Sequence, residues 1–312
     1  MLFRSCYGLF DPDNTPTSRA AAIAANMRRH SPAFDRFASE PVTSEACVVY
    51  DKDNSRVLKE QYLSKGIYML PTPYMQVGYD LEMARNFVPY AVFNINADVK
   101  SARGVDLSRY RIISLPLYQM ADPEFVGRLE SWVREGGTLV LGWRAGARDM
   151  KNHAVRLELP GLFAAMAGVR IKRFESLNAT KVGIRVGIVP AKGEAWAEIV
   201  EPVTAKPLAW YRDRKKHYRG EPCITVNEYG RGRVYYFGTS PDPTAIFLLY
   251  RKILKRAGLA PRFRGMGLEV IRRTTVDGGA VDVVLNHTAS YRWFGLRRIE
   301  PYGVRFVERP KK

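Results

Sequence analysis

The chain has 312 residues, 46% of them apolar, with 49 Lys+Arg against 31 Asp+Glu for a net charge of +18. That length holds one large domain or two to three smaller ones, and a body of this size hides roughly 75% of its unfolded surface, so no disulfide staple is required. No run of about 18 apolar residues occurs, which excludes a spanning helix, and the opening "MLFRSCYGLFDPDNTPTS" lacks the apolar core and cleavage site of a signal peptide.

The first segment reads as a loop, "YGLFDPDNTPTS", followed by a helix from Arg19 to Phe37. Thr17 or Ser18 caps it by accepting a hydrogen bond from a first-turn N–H, and Ala20, Ile23, Ala24, Met27 and Phe34 recur at helical spacing. One helix closes no core, and no strand precedes it, so the expectation is a chain that begins inside a domain. From residue 45 strands and helices alternate. "ACVVYD" is a short apolar strand, "YDLEMARNFVPYAVF" a helix limited near its end by Pro89, and "YRIISLPLY" a buried-type strand.

"DPEFVGRLESWVREGG" carries the clearest helix. Asp122 caps it, Pro123 suits the first helical position, and Phe125, Val126, Leu129, Trp132 and Val133 form one stripe. Gly136-Gly137 ends it, since glycine accepts the left-handed conformation of a helix terminus. "TLVLGW" is the next strand, and strand–helix–strand with short connections predicts a parallel sheet. After the short helix "PGLFAAMAGV" come strands "VRIKRF", "KVGIRVGIV", "AWAEIV", "PLAWYR", "PCITVNEY" and "RVYYFGT". A final helix from Thr244 to Gly258 packs Ile246, Leu249, Tyr250, Ile253 and Leu254. Past Pro261 only strand patterns remain ("GLEVIRRT", "AVDVVLNHT", "YGVRFVE"), which predicts a small antiparallel β domain.

Several stretches invite a chemical reading. Asn227-Glu228 is the dipeptide that, at a strand end of many sugar-cleaving barrels, supplies an acid/base carboxyl. Here it sits beside "EYGRG", where Gly230 and Gly232 are expected to supply positive φ for a turn between antiparallel strands. A retaining glycosidase needs a second carboxyl about 5 Å away, and the surrounding strands offer no defined partner. The glycines of "GRGRVYYFG" precede a strand, whereas a dinucleotide's pyrophosphate needs them between a strand and a helix. A glutaminase-like enzyme would carry a Cys nucleophile on the elbow after "TLVLGW". The residues there are "GWRAGARD", and neither Cys47 nor Cys223 lies at such an elbow. The histidines at 30, 153, 217 and 287 show no ligand spacing, so neither a metal nor another cofactor is expected. Three sparse cysteines, at 6, 47 and 223, fit a reducing, cytoplasmic setting. The basic excess is densest at Arg212, Arg214, Lys215, Lys216 and Arg219, flanked by Tyr211 and Tyr218 as the local candidates for base stacking. It spreads over the whole chain and reads as solvated surface, with no specific nucleic acid and no membrane as partner.

Taken in order, "GRLESWVREGGTLVLGWRAGARD", "PGLFAAMAGVRIKRFESL" and "VNEYGRGRVYYFGTSPD" resemble the trimerisation domain of glycoside hydrolase family 42 β-galactosidases. "LEVIRR…VVLNHT…IEPYGVRFVE" is similar to that family's small C-terminal β domain, and "YGLFDPDNTPTSRAAAIAANM" to the last loop and helix of its catalytic barrel. The resemblance implies a threefold division. Residues 1–44 are the remnant of a (β/α)8 barrel, 45–260 a flavodoxin-like, class I amidotransferase-like trimerisation domain without a nucleophile, and 261–312 a β domain. It implies a homotrimer, and hydrolysis of terminal β-galactosides by two glutamates that lie upstream of every residue here, so that this chain supplies assembly and no catalytic residue. A sugar-contacting His that the family has near the barrel's end is absent from Cys6-Tyr7-Gly8-Leu9. The alternative is a stand-alone binding or scaffold protein with a degenerate glutaminase-like fold. An exposed apolar face on the first helix would favour the galactosidase reading, and burial of Ile23, Met27 and Phe34 the alternative.

Overall fold

The structure is a computed structural model that describes residues 9–11, 13–38, 42–60, 78–261, 263 and 267–309. The positions expected to hold the sugar-contacting His, 6–8, lie outside the described residues. The described residues of 1–42 and 267–312 cluster into one compact unit, and those of 43–266 into another.

Helix α1 (Ser18–Phe34) opens the first unit. Thr17 caps it, its hydroxyl accepting from the Ala20 N–H at 3.2 Å. The helix buries none of its residues: Ile23, Met27 and Phe34 remain 47%, 56% and 48% exposed.

The second unit runs through β1 (Ala46–Tyr50), α2 (Lys52–Glu60), α3 (Gly78–Val92), β2 (Ala97–Ser101), β3 (Ile112–Leu115), α4 (Pro123–Arg134), β4 (Thr138–Leu141) and α5 (Ala164–Ala167). It continues through β5 (Val169–Val186), β6 (Val189–Pro202), β7 (Lys206–Tyr211), β8 (Pro222–Tyr229), β9 (Gly232–Phe237), β10 (Thr239–Pro241) and α6 (Pro243–Arg256). All ten strands form one sheet in the order β10-β6-β5-β7-β8-β9-β4-β3-β1-β2. The run β2-β1-β3-β4-β9 is parallel, and the other half is antiparallel. Alternate residues of the parallel strands face opposite ways. Ala46, Val48, Ile112 and Val140 pack with Tyr79, Met83 and Tyr90 of α3 and with Ile246, Leu249 and Ile253 of α6. Cys47, Val49, Ile113, Leu115, Leu139 and Leu141 pack with the predicted α4 stripe of Phe125, Val126, Leu129, Trp132 and Val133. A sheet covered on both faces explains why these strands read as unbroken apolar runs.

Four details depart from the sequence reading. Helix α3 passes through Pro89 to Val92, so the proline sits in its last turn instead of stopping it. "VRIKRF" and "KVGIRVGIV" are one strand, β5, interrupted by an irregularity between Ser176 and Lys181. Helix α2 and strand β2 have no counterpart among the predicted elements. Gly232 has no positive φ; Gly230 alone, at φ +60°, meets the turn's backbone requirement. Gly232 is required by close approach, because a Cβ there would lie 2.1 Å from the Val133 carbonyl oxygen and 2.3 Å from that of Gly137.

The first unit is completed by β11 (Leu268–Thr274), β12 (Ala280–Asn286), β13 (Arg292–Phe294), β14 (Arg297–Ile299) and β15 (Val304–Arg309). The order β11-β12-β15 makes an antiparallel sheet, with β13 and β14 as a separate hairpin. Buried Asp282 on β12 pairs with Arg272 at 2.8 Å and with Arg309. The described residues up to 42, from the segment 1–44 expected as a barrel remnant, share this unit with the expected β domain. The Ala38 N–H donates to the Thr274 carbonyl at 2.9 Å, the Val276 N–H to that of Arg36 at 2.9 Å, and Arg36 pairs with Glu308 at 2.6 Å.

Candidate functional site

In open α/β sheets ligands and catalytic groups gather at the carboxyl ends of the parallel strands. Here β4 ends at Leu141 and the chain turns sharply through Gly142, Trp143 and Arg144. Arg144 is held at φ +58°, an uncommon backbone region for a side chain of its size. This is the elbow where a glutaminase-like enzyme would carry its nucleophile, and Arg144 occupies it.

The elbow is tied down on every side. The Arg144 main-chain N–H donates to Glu198 Oε1 at 3.0 Å, and its Nε to Gln119 Oε1 at 3.4 Å. Its guanidinium carbon lies 4.9 Å from the centre of the Trp196 ring. Trp196 stacks between Trp143, with ring centres 5.8 Å apart, and the exposed Phe174, at 5.1 Å. Trp143 donates through Nε1 to Glu82 Oε2 at 3.4 Å, and Ser240 donates to Glu82 Oε1 at 2.5 Å. Arg85 reaches Ser240 at 2.6 Å and pairs with Glu194, which also pairs with Lys181.

Each carboxylate of this cluster is therefore engaged. Burial pushes Glu198 up to about 7, against the hydrogen bonds from Tyr236 and the Arg144 N–H. Burial likewise raises Glu82, with the Arg85 charge opposing it. Glu194 is held below its ordinary value: burial would raise it, but hydrogen bonds from Lys181 and Arg85 outweigh that. These acids are held in one network of hydrogen bonds and ion pairs. Nothing in the local sequence announced Glu198 or Glu82. Both lie in segments whose burial only the sheet and α3 reveal.

The residues singled out in the sequence are scattered. Glu228 is exposed on β8, directly across from Arg233 on β9, and its carboxylate accepts from Arg233 Nε at 2.9 Å. Its neighbour Asn227 is buried, donating from Nδ2 to the Met166 carbonyl at 3.0 Å and accepting from the Thr204 hydroxyl at 3.0 Å. The adjoining turn sits against the end of α4, where the Arg231 N–H donates to the Arg134 carbonyl at 2.9 Å. The glycines there lie against the C-terminal end of α4, whereas a phosphate is held at a helix N-terminus. Cys47 on β1 and Cys223 on β8 are both buried. Burial, then Asp98, pushes the Cys47 thiol up to about 12, and burial raises that of Cys223 further. His30 packs on Phe306, His153 faces Asp149 at 3.5 Å, His217 packs on Tyr218, and His287 contacts Glu269 at 2.7 Å. Among the described residues no group of three or more His, Cys, Asp or Glu is placed to hold a metal ion.

Neither tyrosine flanking the basic loop between β7 and β8 presents an open ring face. Tyr218 is buried and donates to Glu175 Oε2 at 2.6 Å, Lys216 pairs with the same carboxylate, and Tyr211 is buried with its hydroxyl on the Glu198 carbonyl at 3.0 Å. Stacking on a base needs an open ring face, and both rings are spent on the core.

Residues 44–260 match the family model described as the beta-galactosidase trimerisation domain. The chain is 24% identical over 331 residues to beta-galactosidase BgaA of Clostridium cellulovorans, covering 97% of this chain and 46% of that protein. Against beta-galactosidase LacZ of Heyndrickxia coagulans the identity is 27% over 184 residues, covering 58% and 27%. Among solved structures, the beta-galactosidase from Bacillus circulans sp. alkalophilus is similar with a TM-score of 0.80 at 22% identity, covering 97% of this chain and 47% of that one. The cold-adapted beta-galactosidase from Rahnella sp. R3 gives 0.81 at 18%, covering 97% and 46%. At these identities the structures speak for the fold alone. The chain spans about half the length, or less, of the curated relatives it matches. A family model that fits 44–260 takes in well over half of the 312 residues, and the chain belongs to the beta-galactosidase trimerisation domain family.

Proposed function

We propose that this chain is the assembly-forming portion of a β-galactosidase, associating with copies of itself as a homotrimer and contributing no catalytic group. Retaining hydrolysis of terminal β-galactosides belongs, on this reading, to the intact enzyme, and the galactoside is a partner only there. The observation that carries the proposal is the coincidence of the family match, 44–260, with a compact unit whose elbow holds Arg144 in place of a nucleophile. The five parallel strands with helices on both faces support reading that unit as amidotransferase-like, and the antiparallel strands after residue 267 support a small C-terminal β domain.

The helix α1 face favours this over a stand-alone binding or scaffold protein. A 17-residue helix with no buried residue, and with Ile23, Met27 and Phe34 about half exposed, presents apolar surface that a self-sufficient domain would cover. The reading of segment 1–44 as the close of a barrel accounts for it. Sparse cysteines, with Cys47 and Cys223 free and buried, support a cytoplasmic setting. No described helix is long and apolar enough to cross a membrane.

Light scattering of the purified chain at tens of micromolar, together with a chromogenic β-galactoside assay, tests the proposal. The expected result is a closed trimer without turnover. A monomer refutes the assembly role. Turnover that survives Glu228→Gln refutes the non-catalytic role, and turnover abolished by that substitution shows Glu228 to be the acid.

A further inference from the structure

The hairpin of β13 and β14 has two unlike faces. Phe294 and Ile299 are buried on one. The other carries Trp293 and Arg298, which stand directly opposite each other in the register and so share a face. The Arg298 guanidinium carbon lies 4.3 Å from the centre of the Tyr291 ring, a cation–π contact that steadies a long side chain. Trp293 is 60% exposed and Tyr291 50%. Asn286, buried beneath this segment, holds it in place. Its Nδ2 donates to the carbonyls of Ser290 and Glu300, both at 2.8 Å, and its Oδ1 accepts from the Thr288 N–H at 3.0 Å and hydroxyl at 2.8 Å. One side chain thus ties the residue before Tyr291 to the residue after Ile299.

The hairpin is also cationic. Arg297 and Arg298 are exposed, and neither pairs with a carboxylate among the described residues. The acid nearest to them in sequence, Glu300, is taken by Arg305. An open indole beside two such guanidiniums suits a ligand with an apolar ring face and an anionic substituent at its rim. A pyranose presents C–H groups on its faces and polar groups around its edge, and one that carries a carboxylate or sulfate meets both requirements. A run of nucleotide bases needs a run of open rings, whereas Arg298 already covers a face of Tyr291 and leaves Trp293 as the open platform.

We propose that the Trp293–Arg298 face of this hairpin binds an acidic polysaccharide. One pyranose lies on the Trp293 indole, its carboxylate or sulfate is held by the Arg298 guanidinium, and Arg297, next to the turn, adds charge toward a neighbouring unit of the polymer. The choice of a glycan among polyanions rests on the galactosidase reading above; the need for one open ring and an anion comes from the hairpin itself. Charge alone does not make the site. A chain of net charge +18 attracts any polyanion weakly, so the mark of this face is dependence on an uncharged ring.

The test is calorimetric titration of the full chain at physiological salt with polygalacturonate, a sulfated galactan and a neutral galactan. Binding of either acidic polymer, about tenfold or more above the neutral one, is expected, and the tighter of the two identifies the anionic group. Trp293→Ala and Arg298→Gln should each weaken it about tenfold, the cost of truncating an anchor at the centre of an interface. Both side chains are exposed, so the variants keep the fold, which circular dichroism checks. Arg214→Gln, which removes one charge from the loop between β7 and β8, should change binding by less than about twofold. Undiminished binding in Trp293→Ala, an equal loss in Arg214→Gln, or equal affinity for the neutral galactan overturns the proposal. So does tighter binding of oligothymidylate, or of phosphatidylserine vesicles that the exposed Leu296 at the turn could enter. Light scattering of the same samples reads the assembly role separately: a trimer that binds no acidic polymer overturns this inference alone, and a monomer that binds one refutes the assembly role alone.

Discussion

Asn227→Ala and Glu228→Gln, adjacent substitutions on β8, should differ sharply in cost. The Asn227 amide is the partner of the Met166 carbonyl, which belongs to a buried residue at the end of α5. Its other bond, from the Thr204 hydroxyl, involves an exposed residue that water can satisfy. Alanine at 227 therefore orphans one buried acceptor, a cost of about 1–3 kcal/mol. Glu228 makes one exposed ion pair with Arg233 at 2.9 Å, and Glu228→Gln should change stability by less than about 0.5 kcal/mol. Urea unfolding of both variants at equal protomer concentration, monitored by circular dichroism, checks the pair. An Asn227→Ala midpoint equal to wild type, or a Glu228→Gln loss exceeding it, would refute the assignment of Asn227 as the structural member of the dipeptide.

Gly232→Ala should be among the most damaging single-methyl additions, because the backbone carbonyl oxygens of Val133 and Gly137, at 2.1 and 2.3 Å, confront the new Cβ from the terminus of α4. The cost is expected at about 3 kcal/mol or more, read as lost soluble yield or melting temperature. Gly187→Ala, at the φ +60° tip of the β5–β6 hairpin with nothing within 4 Å, should cost only about 1–2 kcal/mol of backbone strain. Asp282→Asn leaves Arg272 and Arg309 facing a neutral group and should cost about 2 kcal/mol, less than a fully buried pair because both arginines are half exposed. Burial would raise the Asp282 carboxyl, yet hydrogen bonds from Arg272 and Arg309 hold it below 3.8. Its stabilisation is thus present above that value and lost as pH falls through the depressed one, and acid unfolding of Asp282→Asn should lack that component.

Elements whose signals are local were legible in the residues alone. The α4 stripe with its Asp122 cap and Pro123, the α6 stripe, and the apolar runs of β3 and β4 all stand where periodicity and capping put them. The residues also carried the family resemblance, and the absence of a thiol after "TLVLGW" was legible as plain residue identity. Helix α2 escaped because its "KDNSRVLKE" buries Asn54 and Ser55 beside Leu58. It is held by Asn54, whose Nδ2 donates to Asp51 and to the Met120 carbonyl, both at 3.0 Å, with no apolar stripe to betray it. Edge strand β2, half exposed, offered no alternation to read. The role of Gly232 and the network at Glu198 were decided by tertiary structure alone. Val133 and Gly232 meet because the β8–β9 turn folds onto α4, and Glu198 meets Arg144 across 54 positions of chain. Hydrophobic periodicity records which face of an element is buried, whereas which backbone or charge lies against that face depends on sheet order, and sheet order is set by contacts between segments distant in sequence.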